Sequence, residues 1–164
     1  MSESHIHDSA YSWLRLMVTL SISAVGSVGI WAIIIVLPLV EADLGVDRAA
    51  ASLLYTLTMC GFAAGNLLIG RLVDRFGVTW SLLLAAGCTA VGFTGASQAQ
   101  SIEVLTAWQV LVGFGAAVGF GPLMADISHW FSARRGIAVA VAASGNYLSG
   151  AIWPMALRGV MAED

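Results

Sequence analysis

The sequence predicts an all-α membrane protein with five transmembrane helices, and three observations carry that reading. Five uncharged stretches follow one another along the 164 residues: Leu16 to Val40, Ala49 to Gly70, Val78 to Ser97, Val104 to Ala125 and Gly136 to Leu157. At ~1.5 Å per residue each is long enough to cross ~30 Å of hydrocarbon. The charged residues fall only in the gaps between them. The composition agrees, with 59% hydrophobic and 10% charged residues and a mean hydropathy of +0.86, whereas about a quarter of the residues of a soluble domain are charged. In such a chain the net charge of −3 says little about partners, because what matters is which side the cations occupy. The lipid bilayer is the expected surroundings, and no nucleic-acid partner is expected.

Residues 1–14 carry acids and two histidines, lack a basic leader and precede an apolar run too long for a signal peptide, so they read as a short cytoplasmic tail. His5 and His7 read there as solvated chain, not as metal ligands. Residues 15–158 form one helical transmembrane domain, and 159–164 read as an outer loop cut short. The connections are short, which makes neighbouring spans antiparallel hairpins. With five spans the loops alternate between two sides. Arg15, Arg71, Arg75, Arg134 and Arg135 then share one side, and Arg48 and Arg158 the other. Positive charge accumulates inside, which puts the N-terminus in the cytoplasm of a multi-pass protein of the cell's inner membrane, with Asp43, Asp47 and Glu103 outside. Cys60 and Cys88 lie within the second and third spans and read as small buried hydrophobes. Helix contacts are marked by small residues four apart: Gly61 and Gly65, Gly115 and Gly119, and Ala142, Asn146 and Gly150.

The loop after the second span reads Gly70-Arg71-Leu72-Val73-Asp74-Arg75-Phe76-Gly77. Gly70 at a helix end lets the chain turn, Gly77 permits a positive φ, and Asp74 between two arginines forms a charge network at the membrane surface. This loop resembles the GxLaDRxG loop of the major facilitator superfamily, although Val78 and Thr79 stand where relatives commonly continue with basic residues. The resemblance implies a gating motif of Gly70, Asp74, Arg75 and Gly77, with Asp74 steadying one conformation against the facing half of a transporter.

Gly121-Pro122 ends the fourth span, and the next loop runs from Asp126 through His129, Trp130 and Phe131 to Arg134, Arg135 and Gly136. Arg134 and Arg135 anchor a helix start at the inner leaflet, with Asp126 and His129 near enough in sequence to pair with them. Together with Ala143 to Gly145 this loop is similar to the monocarboxylate-porter and oxalate/formate-antiporter branch. Drug–proton antiporters carry an arginine where this chain has Gln109, which argues against that branch. The resemblance implies an incomplete N-terminal six-helix half of a major facilitator fold, cut from a twelve-span protein and missing its C-terminal half. The function implied is secondary active transport of a small solute, an organic anion such as a monocarboxylate together with a coupling ion, with no cofactor. In that fold the first, second, fourth and fifth helices border the cavity, which makes Trp31, Asn66, Gln109, Asn146 and Tyr147 the substrate-cavity candidates. A non-transporting five-helix scaffold or gene remnant is the alternative. The three histidines, His5, His7 and His129, all lie outside the spans, so a serine nucleophile such as Ser144 has no base in reach and no catalytic residue or metal site is expected.

Overall fold

A computed structural model of the protein describes residues 8–161. His5, His7 and residues 162–164 of the expected outer loop lie outside the described residues. Seven α-helices make up the five spans: α1 (Ala10–Gly26), α2 (Val28–Leu44), α3 (Arg48–Phe76), α4 (Val78–Ala96), α5 (Ile102–Ala116), α6 (Gly121–Ser128) and α7 (Arg135–Met161). The first span is α1 and α2 in line, Ala10–Leu44, interrupted at Ser27. The fourth is α5 and α6, Ile102–Ser128, interrupted by a tight 3-10 turn at Ala117–Gly119. All five spans are long and apolar enough to cross a membrane.

Helix starts follow from short polar side chains in front of apolar runs. Ser9, Asp47 and Ser101 accept hydrogen bonds from the amides of Ser12, Ala50 and Val104, which supplies acceptors to the otherwise orphaned first turns of α1, α3 and α5. Gly45, at φ 61°, ends α2. Between α3 and α4 a single residue, Gly77 at φ 84°, makes the whole connection.

Several boundaries differ from the sequence reading. Ala10–Leu14 belong to α1 and Gly159–Met161 to α7, because capping and the helical ladder carry a helix past the edge of its apolar run. Gly70 does not turn the chain: α3 runs straight through it to Phe76, since an isolated glycine weakens a helix without breaking it. Gly121-Pro122 begins α6 instead of ending the span, with proline at a first-turn position where its missing N–H is not needed. Cys60 is exposed and Cys88 partly exposed, so neither is the buried hydrophobe expected.

Packing is closest where glycine lets backbones meet. A Cβ on Gly61 would strike the carbonyl of Val110, and one on Gly113 the carbonyl of Thr58, so α3 and α5 touch main chain to main chain. α5 also packs on α4, where a Cβ on Gly92 would strike Val112 and one on Gly115 would strike Thr89, and Ile69 of α3 and Ala85 of α4 cluster with Ala117 and Val118 of the 3-10 turn. At the arginine-rich end α1 packs on α7 through Leu16, Ile127, Phe131, Ala138 and Ala142. Towards the other end Ile33 and Val40 of α2 close on Leu54 of α3. Leu67, Trp80, Leu83 and Met155 remain outside, as suits a surface solvated by lipid.

The α3–α5 contact is testable. Gly61→Val and Gly113→Val should each destabilise the bundle by about 1–3 kcal/mol, because the obstructing atoms are backbone and cannot turn aside. Gly70→Ala, with nothing within 4 Å of the new Cβ, should leave stability unchanged or raise it by up to ~1 kcal/mol. Thermal unfolding followed by circular dichroism in detergent measures both, and equal midpoints for all three variants would contradict the close approach.

Candidate functional site

The broken spans cross at their breaks. Gly26 faces Gly119, and the Ser23 hydroxyl of α1 donates to the Gly119 carbonyl. A break inside hydrocarbon leaves amides and carbonyls without helical partners, and no water is there to replace them. Polar side chains of the neighbouring spans do so instead. Asn66 of α3 accepts the Gly121 amide at 3.1 Å through its Oδ1, while its Nδ2 donates to the Phe62 carbonyl at 2.9 Å. Trp153 of α7 donates its indole N–H to the Ala24 carbonyl at 3.0 Å. Asn146, also on α7, donates to the Ser27 hydroxyl at 2.9 Å, and its own carbonyl accepts the Trp31 indole N–H at 3.0 Å. One hydroxyl in this neighbourhood, that of Ser149, is buried with no partner.

The five cavity candidates therefore differ in what they have left to offer. Trp31, Asn66 and Asn146 each commit polar atoms to holding one helix against another. Gln109 is only 5% exposed and sits 3.5 Å from the Thr58 hydroxyl, whose proton goes to the Leu54 carbonyl at 2.7 Å. A Gln109 amide turned to present its NH₂ would donate to Thr58. Tyr147 is 69% exposed, so its ring stands clear of the bundle.

The Gly70–Gly77 motif lies at the arginine-rich end of the bundle, on the last turns of α3. The expected network around Asp74 does not form among the described residues. Arg71 reaches the Leu67 carbonyl at 3.4 Å, Arg75 lies 5.3 Å from the Phe76 ring centroid, and Asp74 is exposed with no ion pair. Asp74 and Arg75, three and four residues after Arg71, are its neighbours on one helix face, but the Arg71 head turns back along α3 to the Leu67 carbonyl and the Arg75 head lies towards the Phe76 ring, away from the carboxylate.

The second loop is also rearranged relative to expectation. Asp126 pairs with Arg15 of α1, not with Arg134 or Arg135, through three contacts of 2.9, 3.1 and 3.2 Å. The pair is partly buried, with side chains 30% and 17% exposed, and it is the one ion pair among the described residues. Asp126 is on the α6 face that meets α1, while Arg134 and Arg135 lie beyond a turn at the start of α7. Arg135 donates to the Ser128 hydroxyl at 3.2 Å, and Arg134 and His129 are exposed. Trp130 covers the Arg15 guanidinium at 4.4 Å and meets Tyr11 edge-on. Asp8 completes the arrangement, with one carboxylate oxygen accepting the Ser132 amide, the Ser132 hydroxyl and the Ala133 amide. These bonds, the Ala133 amide foremost, hold its carboxyl below the ordinary value of 3.8 despite some desolvation. Sequence reasoning missed the roles of Arg15, Asp8, Ser23, Ser27 and Trp153, since each partner lies about a hundred residues away. Among the described residues no group of three metal-ligating side chains gathers.

The family model of the Major Facilitator Superfamily matches residues 19–163, nearly the whole chain. The chain belongs to the Major Facilitator Superfamily. Among similar relatives is the oxalate:formate antiporter of Oxalobacter formigenes, 30% identical over 106 residues, which are 65% of this chain and 25% of that protein. MFS-type transporter 1 of an Ophiocordyceps species is 29% identical over 112 residues, 68% of this chain and 25% of the relative. The riboflavin transporter MCH5 of Saccharomyces cerevisiae is 26% identical over 106 residues, 64% and 20% respectively. The chain thus spans about a quarter of the length of the relatives it matches. No solved structure matches it significantly. Membership in the superfamily makes this a multi-pass membrane protein and points to a transporter rather than an enzyme.

The Asp8 staple sets a pH dependence. A carboxyl whose value is depressed on folding stabilises the folded state above its unfolded value, and that contribution is lost as pH falls through the lowered one. Exchange of the Ser132 and Ala133 amides should therefore be fully protected above the ordinary 3.8 and lose that protection as pH falls from there through the lowered value of Asp8. Asp8→Ala, which removes the acceptor, should leave these amides unprotected throughout, Asp8→Asn, whose Oδ1 still accepts, should give weaker protection with no acid transition, and a variant retaining that transition would refute the staple.

Proposed function

We propose that this chain forms the greater part of the N-terminal half of a secondary active transporter that moves a small organic anion, such as a monocarboxylate, by alternating access with a coupling ion. The observation that carries the substrate class is the 30% identity to an antiporter named for oxalate and formate. The Trp130-Phe131 and Arg134-Arg135-Gly136 loop, which first suggested that branch, supports it. The relative named for riboflavin marks how widely substrates vary over the same scaffold.

Alternating access rocks two bundles about a site near the midplane. The facing bundle comes from the length of the relatives that this chain does not cover. None of the five uncharged stretches holds Arg, Lys or His, and a carboxylate at that depth needs a cation or several aimed donors. That cation is assigned to the facing half, while Tyr147, with its exposed ring, and the half-buried Asn66, Asn146 and Trp31 shape the opposite wall. Gln109, almost wholly covered, serves the α3–α5 contact instead. The N-terminus is assigned to the cytoplasm of an inner membrane, since five of the seven arginines then lie inside.

Counterflow in proteoliposomes tests the substrate class, using a complete transporter that carries these 164 residues. Preloaded oxalate or formate should exchange saturably, and small monocarboxylates should compete. Transport of neutral or cationic solutes with no inhibition by any small carboxylate would replace the organic-anion reading. This chain reconstituted alone should give no saturable uptake.

Asp74, exposed and without an ion pair among the described residues, is available to the facing half as a conformational contact. In the complete transporter Asp74→Asn should lower turnover about tenfold or more, in line with a lost charge-assisted bond of about 1.5–3 kcal/mol, and leave the substrate dissociation constant within about twofold. Weakened binding with unchanged turnover would contradict a gating role.

A further inference from the structure

We propose that α2 swings about Ser27 as a unit, and that Trp31, Asn146 and Ser149 form a two-position clasp between it and α7. The inference rests on the packing of this chain and holds whatever solute is carried.

The hinge is visible in the backbone. Ser27, at φ −83° and ψ 1°, is the single residue between two helices in line, flanked by Gly26 and close to Gly29. Its N–H still bonds the Ser23 carbonyl, but beyond it the ladder tightens, with the Ile30 amide reaching only to the Ser27 carbonyl. A change of a few dihedrals there is enough to redirect everything after it.

The polar bonds divide at the same residue. Before it, α1 is fixed by the Arg15–Asp126 pair, by Ser23 on the Gly119 carbonyl and by Trp153 on the Ala24 carbonyl. At and after it, α2 is tied to α7 by two side-chain bonds, Asn146 to Ser27 and Trp31 to the Asn146 carbonyl, with the Trp31 ring lying on Gly150. The remaining contacts of α2, such as Ile33 and Val40 on Leu54, are apolar and slide without leaving a polar group unpaired.

Ser149 supplies the second position. It is one turn beyond Asn146 and one turn before Trp153, whose side chains bond Ser27 and Ala24, so it faces the break, yet its buried hydroxyl has no partner. An unsatisfied buried hydroxyl weighs against the arrangement that contains it. The closed clasp is therefore held by Asn146 and Trp31 and opposed by Ser149.

The test uses this chain in nanodiscs with Cys60 and Cys88 replaced by serine. Spin labels at positions 39 and 152 report the outer ends of α2 and α7, and labels at 18 and 137 report α1 against α7; all four sites are exposed. Trp31→Phe, which keeps a ring on Gly150 but loses the donor, should add a second, longer 39–152 distance and leave the 18–137 distance unchanged. Amide exchange over residues 28–34 should quicken about three- to tenfold, the range expected for one interhelical bond in a membrane bundle. Ser149→Ala should act in the opposite sense, narrowing the 39–152 distribution and slowing that exchange. An unchanged 39–152 distance in Trp31→Phe, equal broadening of both pairs, or a longer population in Ser149→Ala would each overturn the clasp.

Discussion

Hydrocarbon offers no substitute partner for a main-chain amide or carbonyl, and that constraint organises this bundle. Two of its five spans are interrupted, and the interruptions are placed where they cross, so that Ser23 serves the Gly119 carbonyl directly. The polar side chains nearest by are then drawn in: Asn66 to the Gly121 amide, Trp153 to the Ala24 carbonyl, Asn146 to Ser27. In water each such bond nets about 0.5–1.5 kcal/mol, but leaving a buried group unmade costs about 1–3 kcal/mol. The penalty, more than the gain, explains why these side chains point inward. Close helix approach follows from the same economy of space, since α5 can carry its break past α3 only with Gly61 and Gly113 removing the side chains between them.

Much of the architecture was legible because a membrane span is a signal of length and composition. Runs of twenty-odd uncharged residues between arginines locate helices even when the exact ends shift, and Gly61 and Gly65 announced the contact they make. The breaks were not legible. Gly26-Ser27 reads like any small pair in an apolar run, and Gly119 was read as a packing residue when it also accepts the Ser23 hydroxyl. Candidate site residues suffered for that reason. Asparagine and tryptophan within a span signal a need for hydrogen bonds without naming the partner, and for Trp31, Asn66 and Asn146 the partner lies on another helix.

The arginine-rich end illustrates a different limit. Sequence proximity suggested Asp126 with Arg134 and Arg135, yet the partner is Arg15, on the first helix. A turn separates α6 from α7 and points their charges apart, while the crossing of the broken spans brings the start of α1 beside the end of α6. Trp130 over Arg15, Trp13 on Phe131 and Asp8 on the Ser132 and Ala133 amides then join the first helix to the last loop. Aromatic faces and amides accomplish there what a chain of charges would do less cheaply at a lipid surface.

The single-residue link at Gly77 has a mechanical consequence. Because α3 continues unbroken through the motif and α4 begins one residue later, Asp74 is carried near the tip of a rigid rod and not on a pliant loop. At ~1.5 Å per residue the 29 residues of α3 make a rod of about 44 Å. A tilt of about 5° pivoting at its far end moves the tip by ~4 Å, roughly the span over which a carboxylate gains or loses an ion-pair partner. The carboxylate thus reads the inclination of a helix.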